Sequence, residues 1–348
     1  MGPVIVSIAA FIVSWWLTRR VRRYAIGRQL LDIPNERSSH SVVTPRGGGI
    51  AIVVATIGSL VGMAALGALD WPHAWGLFGG GALAAAIGFL DDHRHVAARW
   101  RLAVHGLAAA WVLWWFGGMP AVEILGTSMD LGWTGHILAV VYLAWMLNLT
   151  NFMDGIDGIA ALEAVTVCVG GVLLYVAAVP GETRWAIPLM LAMSALGFLV
   201  WNWPPATIFM GDVGSGFLGL MTAALSLQAA QAAPQLLWGW IILLAVFVVD
   251  ATVTLIRRLL AGQPVYQAHR THAYQHAAQW RGAHKPVTCA AGAINVMWLL
   301  PLALLVALNR IDGATGVIAA YAPLVAAALW LGAGQPRPFR SRDSRAHV

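Results

Sequence analysis

The chain has 348 residues, of which 59% are hydrophobic and 10% are charged, and its mean hydropathy is +0.72. A soluble chain of this length would form about two or three domains, but this composition is typical of a polytopic helical membrane protein. The net charge of +6 comes almost entirely from arginine, since Lys285 is the only lysine. Membrane topology explains this excess of positive charge better than nucleic-acid binding does. The placement of the two cysteines indicates neither a disulfide nor a metal site.

Eleven apolar segments follow one another along the chain, and most approach the ~20 residues that a helix needs to cross hydrocarbon. We predict membrane spans at roughly residues 2–18, 48–69, 74–90, 102–117, 136–152, 159–179, 185–201, 215–233, 236–256, 288–309 and 314–333. The predicted fold is therefore an all-α, polytopic membrane bundle of about eleven transmembrane helices. It forms one catalytic domain over residues 1–334, followed by a basic, flexible tail over residues 335–348.

The basic residues lie almost entirely on one side of these predicted spans. The loops after predicted spans one, three and nine, together with the C-terminal tail, hold 19 of the 21 lysines and arginines. Only Arg184 and Arg310 fall on the other side. Because cytoplasmic loops carry an excess of positive residues, we predict that the N-terminus lies outside and the C-terminus in the cytoplasm. The membrane is expected to be a bacterial inner membrane.

Five aspartates lie at the ends of predicted spans on the basic side. Asp91 and Asp92 end the third span, Asp154 and Asp157 follow the fifth, and Asp212 precedes the eighth. Acidic residues that merely mark helix ends would explain one of them, but five on three loops of one face favour a functional cluster. Clustered carboxylates at a membrane edge need a cation. Oxygen ligands favour magnesium, with manganese as the alternative, over zinc.

Basic side chains near these aspartates suit an anionic substrate. Arg101 follows the aspartate pair within ten residues, and residues 269–279 read HRTHAYQHAAQ. His269, His272 and His276 recur at helical spacing, so a helix here would present three imidazoles on one face. A polar loop helix with incidental histidines is the alternative. A zinc site is disfavoured because neither cysteine is nearby.

Two functions fit these features: an enzyme that moves a phosphate-bearing group onto a membrane acceptor, and a transporter for a metal ion or phosphorylated anion. Transporters tend to carry ionisable residues near the bilayer midplane and broken helices in paired halves. Here the predicted spans are nearly free of charge. Glu163 and Asp250 are the exceptions, and both lie within about two turns of the cytoplasmic edge. The enzyme is favoured.

Five motifs in order along nearly the whole chain resemble those of one family. They are DIPNERSSHSVVTPRGGG (32–49), GFLDDHRHVAARWRL (88–102), NLTNFMDGIDGIA (148–160), FMGDVGSGFLG (209–219) and HRTHAYQHA (269–277). The family is that of the polyprenyl-phosphate N-acetylhexosamine-1-phosphate transferases, glycosyltransferase family 4. The resemblance implies transfer of a sugar-1-phosphate from a UDP-sugar to undecaprenyl phosphate in the membrane, with release of UMP and a need for Mg²⁺. A homodimer is compatible with the sequence, and no nucleic-acid partner is expected.

The same resemblance implies roles for individual residues. The expected catalytic residues are Asp91, Asp92, Asp154 and Asp157, the expected metal ligands are Asp212 and Asp154, and the expected substrate-binding residues are Arg46, Arg101, Asn151, His269, Arg270 and His272. One of the first two aspartates is expected to help deprotonate the acceptor phosphate, which then attacks directly. The segment HRTHAYQ is more similar to the branch that initiates O-antigen with N-acetylated 6-deoxy sugars than to the phospho-MurNAc-pentapeptide translocase branch. N-acetylglucosamine stays open as the sugar.

The spacing within NLTNFMDGIDGIA also predicts local structure. Asn148, Asn151, Asp154 and Asp157 recur every three residues. On a continuous α-helix each such step falls about 60° short of a full turn, so Asp157 would lie half-way round from Asn148. We therefore predict that the helix ends near Asp154, and that a short 3₁₀ or loop segment keeps Asp157 on the active face.

Overall fold

Each of the eleven predicted apolar segments coincides with a helix or with a pair of consecutive helices. In this computed structural model, which describes residues 1–34, 42–94, 96–124, 126–264 and 269–336, the helices are α1 (Gly2–Gly27), α2 (Ile50–Ala65), α3 (Trp71–His93), α4 (Ala98–Trp115), α5 (Gly132–Met153), α6 (Ile159–Ala178), α7 (Ala186–Asn202), α8 (Asp212–Ala232), α9 (Gln235–Leu243), α10 (Ala245–Leu260), α11 (Ala273–Arg281), α12 (Lys285–Ile294), α13 (Leu300–Ala307) and α14 (Gly313–Trp330). Residues 337–348 of the predicted tail and residues 35–41 of the first motif lie outside the described residues.

The helices are those of a polytopic membrane protein. Within the described ranges, seven helical segments are long and apolar enough to cross a membrane, and the bent pair α9–α10 makes eight if it counts as one span. Helices α2 and α7 are apolar but shorter, with 16 and 17 residues, and α4 is not among the seven. The count of eleven spans and the orientation of the termini stay predictions.

Three features depart from a bundle of straight helices. The ninth predicted span is broken between α9 and α10, whose axes differ by 69°. The tenth contains a π-helix at Asn295–Leu299, between α12 and α13. Two short antiparallel hairpins also occur, β1 (Leu31–Asp32) with β2 (Thr44–Pro45) and β3 (Val122–Ile124) with β4 (Thr127–Met129). The all-α prediction therefore holds for the bundle but not for these two loops.

Helix α8 is the centre of the bundle. Its residues from Val213 to Ala230 are all buried, and it packs against α3 and α5. Helices in membranes approach closely where small residues meet. Such a contact holds the start of α2 against the start of α8, because a Cβ on Gly49 would come within 2.4 Å of the Cα of Gly214. No larger residue fits there without moving one helix.

Backbone hydrogen bonds bring the segment before α2 to the segment before α8. The N–H of Phe209 donates to the carbonyl of Pro45 at 2.8 Å, and the N–H groups of Gly48 and Gly49 donate to the carbonyls of Phe209 and Met210, each at 2.9 Å. The end of α3 also contacts the start of α8. Five helix ends, those of α2, α3, α4, α5 and α8, thus meet at one end of the bundle.

Candidate active site

Asp92 holds the first turn of α8 in place. Its Oδ1 accepts the N–H of Asp212 and its Oδ2 accepts the N–H of Val213, both at 3.1 Å. The first N–H groups of a helix have no partner within the helix, and a negative charge at that end is favourable. Arg46 joins the same contact, because its Nη2 donates to the main-chain oxygen of Asp92 at 2.5 Å. The Asp92 carboxylate, brought by α3, therefore sets where Asp212 lies.

Asp91 and Asp212 share one arginine. The Nη1 of Arg101 donates to Oδ2 of Asp91 and lies 3.7 Å from Oδ2 of Asp212. The side chain of Asn151 lines the same small space as Asp212 and donates to the Oγ of Ser215 at 3.0 Å. The structure thus brings together residues that lie 60 or more positions apart in sequence on α3, α5 and α8, as the sequence predicted for the aspartates and for Arg101 and Asn151.

The segment after α5 leaves the helix where the sequence predicted. Helix α5 ends at Met153, Asp154 has φ −85° and ψ 48°, and α6 begins at Ile159. Residues 154–158 are non-helical, and Gly158 takes a φ of +76°, which favours glycine. The prediction that regular helix ends near Asp154 is therefore confirmed.

Asp154 lies among other carboxylates. It is half-buried, and loss of hydration raises the pKa of its carboxyl well above the ordinary 3.8. The negative charges of Asp212, Asp92 and Asp157 raise that pKa further. Repulsion of this kind is relieved by a bound cation, so the electrostatics of the site favour one.

The oxygen donors around Asp212 fit a magnesium ion that is shared with a phosphate. Among the described residues, no three His, Cys, Asp or Glu side chains lie close enough to hold a metal ion by themselves. Mg²⁺ seldom needs such a cage, because it commonly binds one or two carboxylates, substrate phosphate oxygens and several waters. Asp212 suits that role, since 36% of its side chain is exposed. Asn151 lines the same small space as Asp212, and Asp154 is near enough for its charge to interact with that of Asp212.

Asp157 belongs to a different wall of the site. Its Oδ2 accepts the N–H of Ala206 at 3.1 Å, and its Oδ1 lies 3.1 Å from Nδ1 of His284. It lines a cavity of about 530 Å³, within the usual range for small-molecule sites. This cavity also includes Thr44, Phe209, Gln275 and Lys285 in its lining.

A second, much smaller cavity lies between the carboxylates. Its volume is about 20 Å³, enough for one water molecule or a small ion. Its polar lining consists of Asp91, Arg101, His105, Asn148, Asn151 and Asp212. The site therefore has a large compartment beside Asp157 and a small one around Asp91 and Asp212.

The histidine segment is anchored by Asp250 of α10. The carboxylate of Asp250 accepts the N–H groups of Ala273 and Tyr274, each at 2.9 Å, and lies 3.3 Å from Nδ1 of His272. Helix α11 therefore begins at Ala273, and the prediction that three histidines share one helical face is wrong. Of those three, only His276 lies on α11. The Asp250 carboxylate binds the first two N–H groups of α11, so the helix begins after His272.

His269 stacks on His272, with ring centroids 5.0 Å apart, and Arg270 lies half-buried between them in sequence. Burial, the neighbouring His272 ring and the positive charge of Arg258 together lower the pKa of His269 from 6.5 to about 3. His269 is therefore neutral at physiological pH. It offers a phosphate or sugar a hydrogen bond and not a positive charge.

Tyr274 connects this segment to the aspartate loop. Its hydroxyl donates to the main-chain oxygen of Phe152 at 3.0 Å, in the last turn of α5. The start of α11 is thus tied to the loop that carries Asp154 and Asp157. The histidine segment, which directly precedes α11, therefore lies near that loop.

Sequence reasoning missed three residues that line the site: His105, Phe209 and His284. Phe209 is the first residue of the motif FMGDVGSGFLG, but the sequence assigned it no role, and His284, which precedes the only lysine, lies in no motif. His105 lies one turn after Arg101 on α4, so helical spacing could have predicted that both side chains lie on the same face. Asp250 was noticed only as a charge within a span, and its contact with α11 depends on the fold.

Comparison with known proteins agrees with the motifs. Residues 74–230 match the model of glycosyl transferase family 4. The chain is also 32% identical over 288 residues to the probable undecaprenyl-phosphate N-acetylglucosaminyl 1-phosphate transferase of Bacillus subtilis (strain 168), with 80% of this chain and 79% of that protein covered. The protein belongs to glycosyl transferase family 4.

Other relatives of this family member have related names. The decaprenyl-phosphate N-acetylglucosaminephosphotransferase of Mycobacterium leprae (strain TN) is 29% identical over 325 residues, covering 81% of this chain and 78% of that protein. The phospho-N-acetylmuramoyl-pentapeptide-transferase of Streptococcus agalactiae serotype Ia is 26% identical over 264 residues, covering 68% and 76%. The resemblance drawn from the sequence motifs is confirmed at the level of the family.

The family match covers part of the site of this glycosyl transferase family 4 member. Residues 74–230 contain all five aspartates, together with Arg101 and Asn151. Arg46 and the histidine segment from His269 to His272 lie outside the matched residues. Their place in the site therefore follows from the contacts described above, the bond from Arg46 to Asp92 and the bond from Tyr274 to Phe152.

Proposed function

We propose that this protein is a phosphoglycosyl transferase that moves an N-acetylhexosamine 1-phosphate from a UDP-sugar to undecaprenyl phosphate at the cytoplasmic face of the membrane and releases UMP. One observation carries the proposal. The cluster of Asp91, Arg101 and Asp212 lies at the ends of membrane helices, and Phe209, three residues before Asp212, lines a cavity of about 530 Å³. A lipid phosphate can approach such a cluster from the membrane while a nucleotide occupies the cavity. The names of the relatives support the same reaction class.

The reaction joins two polyanions, and the residues present suit that task. An oxygen of the lipid phosphate attacks the β-phosphorus of the UDP-sugar, a new P–O bond forms, and the bond from that phosphorus to the bridging oxygen breaks, so that UMP leaves. We propose that Arg46, Arg101, Arg270 and His272 bind phosphate oxygens, while neutral His269 donates a hydrogen bond. Placed positive charges and donors of this kind offset the repulsion between the reactants and the charge that develops on the transferred group.

Asp91 suits proton removal from the lipid phosphate better than Asp92 does. Both oxygens of Asp92 accept backbone N–H groups. Asp91 accepts one backbone N–H, that of Val96 at 2.8 Å with Oδ1, and its Oδ2 pairs with the side chain of Arg101, which can move. We therefore assign Asp92 to holding α8. The deprotonated lipid phosphate is then an adequate nucleophile, so the proposal uses direct attack without a covalent enzyme intermediate.

Asp212 and Asp154 are the proposed ligands of a magnesium ion. A bound Mg²⁺ would supply positive charge to the phosphate oxygens and help the UMP group to leave. Asn151 lines the small cavity with Asp212, and its bond to Ser215 of α8 holds it beside the start of that helix. Asp157, in the wall of the large cavity, is proposed to face the nucleotide.

The donor is proposed to be a UDP-N-acetylhexosamine. Two of the relatives described above are named for N-acetylglucosamine, whereas the HRTHAYQ segment resembles the branch that uses 6-deoxy N-acetylated sugars. Initiation of O-antigen or of a related polysaccharide is the corresponding biological proposal. A panel of UDP-sugars, with the mass of each lipid product measured, distinguishes these donors.

The test uses purified protein in nanodiscs with undecaprenyl phosphate and Mg²⁺. We expect UMP release with at least one UDP-N-acetylhexosamine, and loss of this activity by at least about 100-fold in Asp212→Asn. Asp130→Asn, the same change in the exposed loop at the other end of α5, is the control and should keep full activity. Unchanged turnover in Asp212→Asn would overturn the metal assignment. Substrate flux into vesicles without polyprenyl phosphate would instead favour a transporter.

A further inference from the structure

The beginning of α12 forms one wall of the large cavity and holds the aspartate loop from that side. The Nδ1 of His284 lies 3.1 Å from Oδ1 of Asp157. One turn further along, the hydroxyl of Thr288 donates to the main-chain oxygen of Asp157 at 2.7 Å. His284 and Thr288 lie more than 120 positions from Asp157 in sequence, so the contact exists only in the folded protein. Both His284 and Asp157 line the cavity.

The contact fixes the direction of the Asp157 carboxylate. Its other oxygen, Oδ2, accepts the N–H of Ala206, and the next residue, Gly158, donates its N–H to Oδ1 of Asn202 at 3.0 Å. The backbone of the loop is thus held by the last residue of α7, and one carboxylate oxygen by the segment that follows that helix. A side chain contacts the other carboxylate oxygen, Oδ1: it is that of His284, which lines the same cavity.

The atoms involved determine which imidazole nitrogen acts. An ionised carboxylate can only accept hydrogen bonds, so the nitrogen that bonds it must carry the proton. The N–H of Asp157 also donates to Nδ1 of His284, at the longer distance of 3.4 Å, and that bond needs an Nδ1 without a proton. The shorter contact of 3.1 Å to the carboxylate favours a proton on Nδ1. A side chain whose N–H donor occupies the position of Nδ1 can therefore replace His284. A side chain whose donor occupies only the position of Nε2 cannot.

We propose that His284 is a positioning residue for the nucleotide donor. Through Nδ1 it orients Asp157 so that the carboxylate accepts hydrogen bonds from the N–H or O–H groups of the nucleotide. This inference rests on the proposed function, because it assigns the cavity to the UDP-sugar. It predicts an effect on donor binding and not on the chemical step, since Asp157 lies in the large cavity while the phosphate cluster surrounds the small one.

Three variants at one position test the inference. The side-chain amide nitrogen of asparagine can take the place of Nδ1, that of glutamine reaches only the place of Nε2, and alanine removes the donor. We expect His284→Ala to raise the KM for the UDP-sugar about tenfold, the effect of losing one hydrogen bond to a charged group. The dissociation constant of UMP should rise by the same factor, while kcat and the KM for undecaprenyl phosphate change less than about threefold. His284→Asn should recover most of the affinity, and His284→Gln should resemble His284→Ala.

A matched control is His136→Asn, near the start of α5 at the opposite end of the bundle, which should leave both KM values unchanged. If His284→Ala does not fold, the comparison of His284→Asn with His284→Gln carries the test. An unchanged KM and UMP affinity in His284→Ala and His284→Gln, a loss confined to kcat, or recovery by glutamine and not by asparagine would overturn the inference. A wild-type protein that releases no UMP from any UDP-sugar would overturn the proposed function instead.

Discussion

At the scale of single residues, the small cavity holds more negative than positive charge. Asp91 and Asp212 both lie close to Arg101. One guanidinium cannot neutralise both carboxylates. Arg101 therefore acts as the internal counter-ion of the cluster, and a bound metal ion would share that task.

Replacing Arg101 should make the protein depend more strongly on Mg²⁺. In Arg101→Gln, Asp91 and Asp212 repel each other with no cation between them. We expect the metal-free variant to lose up to about 1 kcal/mol of stability, because the ion pair is partly exposed. Added Mg²⁺ should then raise its melting temperature more than it raises that of the wild type, as measured by thermal unfolding in detergent.

The control for this measurement is Arg310→Gln, which removes an exposed arginine at the other end of the bundle. Its response to Mg²⁺ should equal that of the wild type. Arg101→Lys keeps the charge but not the forked donor geometry, so its response should lie between those of the wild type and Arg101→Gln. A smaller response to Mg²⁺ in Arg101→Gln than in the wild type would contradict the proposed role of Arg101.

At the scale of secondary-structure elements, two helices begin at carboxylates that a neighbouring membrane helix supplies. Asp92 of α3 accepts the first two N–H groups of α8, and Asp250 of α10 accepts the first two of α11. Helix α8 brings Asp212 into the site, and the start of α11 brings the histidine segment. A carboxylate that caps a helix start thus positions both Asp212 and the histidine segment.

Loss of either carboxylate should loosen one helix start and leave the other intact. A missing cap costs about 0.5–2 kcal/mol, and the burial of Asp250 favours the upper part of that range. We expect Asp250→Ala to speed hydrogen–deuterium exchange at the start of α11 but not at the start of α8. Asp92→Ala should show the reverse pattern, so each variant is the control for the other. Faster exchange at both helix starts in both variants would indicate general unfolding and refute separate caps.

The sequence predicted the parts of this arrangement that depend on local pattern. Apolar segments located the helices, and the three-residue spacing of the polar residues located the end of α5 near Asp154. The break between α9 and α10 and the start of α11 were not predicted. The start of α11 depends on a tertiary contact, that between Asp250 and the N–H groups 23 and 24 positions later. The contact of His284 with Asp157 is of the same kind and leaves no periodic signal.

At the scale of the whole molecule, the candidate site lies at the basic end of the bundle. Arg22, near the end of α1, donates to the main-chain oxygen of Thr207 just before α8. Arg46 and Arg101 contact the aspartate cluster itself. Arg184 and Arg310 lie in loops at the other ends of the helices. If positive residues are retained in the cytoplasm, the site faces the compartment that holds nucleotide sugars.

This orientation can be tested with single cysteines in spheroplasts. In a background with Cys168→Ala and Cys289→Ser, Ser128→Cys places a thiol in the exposed hairpin of β3 and β4, and Arg281→Cys places one at the exposed end of α11 beside the large cavity. We expect a membrane-impermeant maleimide to label Ser128→Cys in intact spheroplasts and Arg281→Cys only after permeabilisation. The opposite labelling would place the site outside, where no UDP-sugar could reach it, and would contradict both the charge argument and the proposed donor.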